Sequence, residues 1–98
     1  MAKYLILWEI DTSRTPETPQ ELRAMYEGSL AMVEQDAKTG ISKDWGQFIG
    51  APRGYGIAEG TDVEIAKMLQ KYVPYIQFEL HPVMSARMMR QVIKAMPK

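Results

Sequence analysis

The spacing of apolar residues switches back and forth between a strand period and a helix period, and each switch marks an element. Tyr4 to Ile10 is a seven-residue run of strand formers. Tyr4, Ile6, Trp8 and Ile10 fall on one face, Leu5 and Leu7 on the other. A strand that is apolar on both faces is covered on both. After a polar loop, Thr18-Pro19-Gln20-Glu21 reads as a helix start. Thr18 caps, Pro19 sacrifices no hydrogen bond at the first helical position, and Glu21 can close a capping box. Leu22, Met25, Tyr26, Leu30, Val33 and Ala37 then recur at helical spacing. Lys38 suits the negative end of the helix and Gly40 a C-cap, so the spacing predicts a helix over 19–38.

Ile41 to Ile49 alternates imperfectly, Gly50 to Gly54 is a turn cluster, and Tyr55 to Glu59 alternates large and small. Together they predict a β-hairpin. Thr61-Asp62-Val63-Glu64 is a second capping box, followed by the stripe Ile65, Met68, Leu69 and Tyr72. Val73-Pro74 stops that helix. Tyr75 to Met84 predicts the last strand, with Ile76, Phe78 and Leu80 on one face and Gln77, Glu79 and His81 on the other. Ser85 caps a final helix through Met96. Its stripe of Met89, Val92, Ile93 and Met96 is expected to be buried on the sheet or on a partner, with Arg87, Arg90, Lys94 and Lys98 solvated. The expected core contains Ile6 or Trp8 with Leu22, Met25, Leu69, Phe78 and Leu80.

This order is β-α-β-β-α-β plus a helix, an α+β ferredoxin-like sandwich in which 1–98 form a single domain. Right-handed crossovers place both main helices on one side of a four-stranded antiparallel sheet ordered 4-1-3-2. The face carrying Leu5 and Leu7 then needs a cover, and a second copy of the sheet is the simplest one.

Composition narrows the function classes. Twelve basic residues balance twelve acidic ones, so there is no general electrostatic pull toward nucleic acid or anionic lipid. Arg53-Gly54-Tyr55-Gly56-Ile57-Ala58 opens like an RNA-binding string but has Ile57 and Ala58 where Phe and Val belong. Neither nucleic acid nor membrane is an expected partner. The absence of cysteine removes disulfides, thiolate nucleophiles and cysteine metal sites. The first apolar run is too short for a signal peptide's core or a membrane span, and cytoplasm is the expected location.

His81 is the only histidine, and alternation puts it on the face of Glu79, about 7 Å along the strand. An imidazole can move a proton at neutral pH. Antiparallel pairing of the first and last strands is expected to bring Glu9 near the pair, which would hold His81 protonated to higher pH unless burial opposes it. His81, Glu79 and Glu9 are therefore the candidate catalytic residues; the plain alternative is that they pair across a dimer. Trp45, Tyr55 and Trp8 are the candidate ligand-binding residues, an aromatic wall for a flat apolar molecule. Gly54, Gly56 and Ala58 leave space above their strand, either filled by a packed element or open as a cavity. No spacing motif for metal ligands is present.

The opening Tyr4-Leu5-Ile6-Leu7-Trp8-Glu9, the hairpin from Trp45-Gly46 to Gly54-Tyr55-Gly56-Ile57-Ala58-Glu59-Gly60 and the ending Phe78-Glu79-Leu80-His81-Pro82-Val83 resemble the dimeric α+β barrel superfamily. Within it the likeness is to uncharacterised members of the muconolactone-isomerase-like branch. The resemblance covers nearly the whole chain and carries no diagnostic catalytic string. It implies a homodimer whose two sheets face each other, needing no cofactor, and a small-molecule ligand. The expected function is binding of a small apolar or aromatic molecule. A cofactor-independent isomerase or monooxygenase, and a structural module with no pocket, are the alternatives.

Overall fold

The computed structural model describes residues 2–98. Strand β1 (Ala2–Ile10) is followed by a 3-10 turn at Thr12–Arg14 and helix α1 (Pro19–Lys38). The hairpin β2 (Ser42–Gln47) and β3 (Arg53–Gly60), helix α2 (Asp62–Gln70), strand β4 (Ile76–Pro82) and helix α3 (Ala86–Ala95) complete the chain. The result is an α+β fold with one four-stranded sheet ordered β2-β3-β1-β4, antiparallel throughout. This architecture is compatible with a ferredoxin-like fold.

The helix boundaries follow from local chemistry. At α2 both arms of the capping box are made: Glu64 N–H donates to Thr61 Oγ1, and Thr61 N–H donates to Glu64 Oε1 at 3.0 Å. The hydrogen bond it accepts from the Thr61 backbone N–H, reinforced by the Thr61 side chain, holds the Glu64 carboxyl below its usual range. At α1, Thr18 Oγ1 accepts from Glu21 N–H and Pro19 occupies the first turn. Gly40 leaves the helix with φ of +83°, a conformation that favours glycine.

The register sorts side chains cleanly between the two faces of the sheet. Ile6 lies opposite Gly56 on one side and Leu80 on the other, and Trp8 lies between Gly54 and Phe78. These residues face the helices. Leu5 lies between Ile57 and His81, and Leu7 between Tyr55 and Glu79, so this second set faces away from them. A register shift between Ser42 and Asp44 accounts for the imperfect alternation of the second strand. Beyond it, Trp45 pairs with Gly56 and joins the helix-side face.

The packed core is small and sits under α2. Ile65, 1% exposed, meets Ile6 and Ala58, with Met68, Leu69 and Phe78 packed around them. Helix α1 contributes much less. Leu22 and Met25, expected in the core, are only half-buried, and Leu30 is 47% exposed. Leu80 has the expected face, but it lies on an edge strand and stays exposed. Helix α3 packs on neither face of its own sheet. All ten of its residues are exposed, and the molecule extends 63 Å in its long direction against 25 and 20 Å across.

Candidate functional site

Trp8 and Trp45 come from strands separated by β3, with backbones roughly 10 Å apart at ordinary strand spacing. Their rings nevertheless stack, with centroids 5.5 Å apart and planes 7° from parallel. The small residues of β3 allow this. A Cβ on Gly54 would sit 2.6 Å from Trp8 Cζ2 and would also strike the Gly46 carbonyl. The Trp8 indole N–H reaches across the same strand to donate to Tyr55 O at 3.1 Å, which fixes the ring. The space expected above Gly54 is therefore occupied by the paired indoles.

Above these rings α1 stands off the sheet and leaves an open cleft of about 730 Å³. Trp45, Trp8, Phe78 and Ile10 form its floor, and Met25 and Val33 form much of its roof. The aromatic row continues past Phe78 to Tyr72, whose ring meets Phe78 edge-on at 6.1 Å.

The polar end of the cleft is built around Asp36, 5% exposed and the only buried charged residue among those described. Its Oδ2 accepts from the Tyr72 hydroxyl at 2.6 Å, and its Oδ1 accepts from Lys71 Nζ. Burial, reinforced by the hydrogen bond to Asp36, pushes the Tyr72 hydroxyl well above the ordinary tyrosine pKa. Lys71 lines the cleft with its side chain part-exposed. An ammonium has three protons and one is committed to Asp36, so Lys71 retains donors for a ligand oxygen. Asp36 and Lys71 did not emerge from the sequence pattern. The signal was present: Asp36 falls three residues after Val33, on the inward stripe of α1 that runs through Leu22, Met25, Ser29 and Val33. A carboxylate on an inward stripe needs partners.

The other expected site residues are split between the two faces. His81 Nε2 and Glu79 Oε2 lie 2.8 Å apart on the outward face, both side chains exposed. Glu9 shares that face but is in register with Gln77 and Arg53, whereas His81 is in register with Leu5. Four strand residues, roughly 13 Å, therefore separate Glu9 from His81 in register. Among the described residues no three histidine or carboxylate side chains gather closely enough to hold a metal ion. Tyr55 also faces outward, where its hydroxyl donates to Asp44 Oδ2 at 2.9 Å; that bond, aided by partial desolvation, raises its pKa. Trp8 and Trp45 are thus in the cleft, while Tyr55, Glu9, Glu79 and His81 are on the opposite side of the sheet.

This geometry suits recognition by stacking and shape, with a donor at one end. Among the described residues, no helix is long and apolar enough to cross a membrane. The chain matches no family model, and no curated protein matches it.

Proposed function

We propose that this domain binds a flat apolar or aromatic small molecule in the cleft between α1 and the sheet, and that it works as a homodimer of the α+β barrel type it resembles. The observation that carries the binding reading is the Trp8–Trp45 stack lying open to an apolar cleft whose far end holds Lys71 and Tyr72. Stacking and apolar contact supply affinity, and a ligand oxygen directed at Lys71 supplies orientation. The antiparallel sheet and the element order support the superfamily reading, and the half-buried Leu5, Leu7, Tyr55 and Ile57 on the outward face support a second copy as its cover. No reaction is assigned to His81 and Glu79, since the pair is solvent-exposed and on the face away from the cleft.

Trp8 and Trp45 are the only tryptophans in the chain and both line the cleft, so tryptophan emission reports on its occupancy directly. Titration with 1,4-naphthoquinone, 2-naphthol and decanol as an aliphatic control should give saturable quenching by an aromatic compound. Val33→Phe, which fills the roof without adding a tryptophan, should abolish that binding. Linear, unsaturable quenching by every compound, or equal affinity in the filled variant, overturns the reading.

A further inference from the structure

Three charged side chains line the cleft among the described residues: Arg14, Asp36 and Lys71. Arg14 Nε donates to Asp11 Oδ2 at 3.2 Å, and Lys71 Nζ donates to Asp36 Oδ1. Each cation is thus matched by a carboxylate before any ligand arrives. Hydrogen-bond donors remain, because an ammonium has three protons and a guanidinium five. Uncompensated positive charge does not. Asp36 is buried, whereas the Lys71 side chain is 42% exposed, so the ammonium is the member of the pair that an incoming ligand meets.

Resting on the binding reading of this same cleft, we infer that its ligand is a neutral aromatic carbonyl compound, a ketone or quinone, and that Asp36 sets this preference by neutralising Lys71. Two acceptors on one tetrahedral ammonium lie roughly 4.5 Å apart. A ligand carboxylate bonded to Lys71 would therefore face the Asp36 carboxylate at close range, and that repulsion would offset roughly 60% of its attraction to the ammonium. It would also give up its hydration on entering an apolar cleft. A carbonyl keeps the hydrogen bond to Lys71 with no net charge to repel or to desolvate. A hydroxyl brings a proton that needs an acceptor of its own, and both Asp36 oxygens are already engaged. The Trp8–Trp45 stack accommodates a flat ring, and a conjugated carbonyl shares the plane of that ring.

Three compounds with one ring system separate these effects: 2-acetonaphthone carries the carbonyl, 2-naphthoate a carboxylate and 2-ethylnaphthalene no oxygen. Equilibrium dialysis against the full chain at neutral pH should show 2-acetonaphthone bound about tenfold more tightly than either of the others, the ratio for one good hydrogen bond. Asp36→Asn keeps an acceptor for Lys71 and removes the negative charge. It should raise the affinity for 2-naphthoate about tenfold and leave that for the ketone little changed, so the preference is lost. Asp36→Leu removes the same charge with an apolar side chain and should bring the same change. Binding of none of the three compounds overturns the cleft reading and the preference with it. Parent protein that binds 2-naphthoate or 2-ethylnaphthalene as tightly as 2-acetonaphthone overturns the preference alone and leaves the cleft standing. A parallel change in all three affinities in the Asp36 variants makes Asp36 a structural residue and overturns its part in selecting the ligand.

Discussion

Helices α1 and α2 cover the same face of the sheet in different ways. Helix α2 is nine residues long and drives Ile65 into contact with Ile6 and Ala58. Helix α1 is twenty residues long, yet the one residue it buries fully is the carboxylate of Asp36. Both carry an apolar stripe at helical spacing, and an apolar stripe alone cannot distinguish a helix that seals a core from one that roofs a cleft. The polar position within the stripe makes that distinction. A buried carboxylate is tolerated only with its bonds made, and here those bonds tie α1 to the end of α2. The remainder of α1 then stands above the cleft, tied to α2 at its Asp36 end.

Truncating one inward-facing residue on each helix separates a sealed core from a roofed cleft. Ile65→Ala should cost about 2–5 kcal/mol, because a closely packed site cannot collapse around the lost atoms. Met25→Ala, on the inward line of α1 and half-buried over the cleft, should cost only about 1 kcal/mol. Chemical denaturation of both variants measures the contrast. Equal losses would mean that α1 seals the core as α2 does.

A smaller effect is expected at the glycines below the indoles. Gly54→Ala drives a methyl group into the Gly46 carbonyl and the Trp8 ring at once, and the carbonyl belongs to the backbone of the neighbouring strand. A cost of about 1–3 kcal/mol is expected, with a red shift in tryptophan emission as the Trp8–Trp45 stack opens. Gly46→Ala, on the outward face, meets only the Tyr55 ring, at 2.6 Å. That ring can swing, so the cost should be lower and the emission unchanged. An emission shift in both variants would show that the stack depends on the whole hairpin rather than on space above Gly54.

Much of this architecture is legible in the sequence, and the gaps have physical causes. The strands, the helix starts at Thr18, Thr61 and Ser85, and the sorting of Ile6, Trp8 and Phe78 against Glu79 and His81 all follow from local periodicity and capping. Distance along a register does not. Glu9 and His81 share a face, but the antiparallel pairing of β1 with β4 sets Glu9 against Gln77, and no one-dimensional pattern contains that offset. The exact rotation of α1 is equally hidden. Its inward line passes through Ser29 and Asp36, polar residues that a hydrophobic count skips, in place of Tyr26, Leu30 and Ala37. Trp8 and Trp45 were recognisable as candidate ligand contacts, but their meeting across β3 depends on the stripe of small residues between them.

The bond that ties the two helices is isolated by alkaline pH, where its contribution is read as a difference in slope. Tyr72 ionises near pH 10.0 in an unfolded chain, while burial and the Asp36 carboxylate raise its pKa in the folded one. Above pH 10 the unfolded state loses a proton that the folded state keeps, so fewer protons are bound on unfolding and stability falls as pH rises. One such group gives a slope of at most about 1.4 kcal/mol per pH unit, fully relieved only above the raised folded value. Tyr4 and Tyr55 are raised too, each by a hydrogen bond to an aspartate, and both are solvent-accessible, so they add to the slope without a comparable burial contribution. Tyr72→Phe separates the terms. At pH 7 it should cost about 1.5–3 kcal/mol, the range for a hydrogen bond to a charged group, with Lys71 still holding Asp36. Between pH 10 and 11 the variant should lose stability less steeply than the parent, by up to one proton's worth of slope. Parallel pH profiles for the two proteins would mean that Tyr72 is free to ionise in the folded state, and the polar tie between α1 and α2 would then have to rest on Lys71 alone.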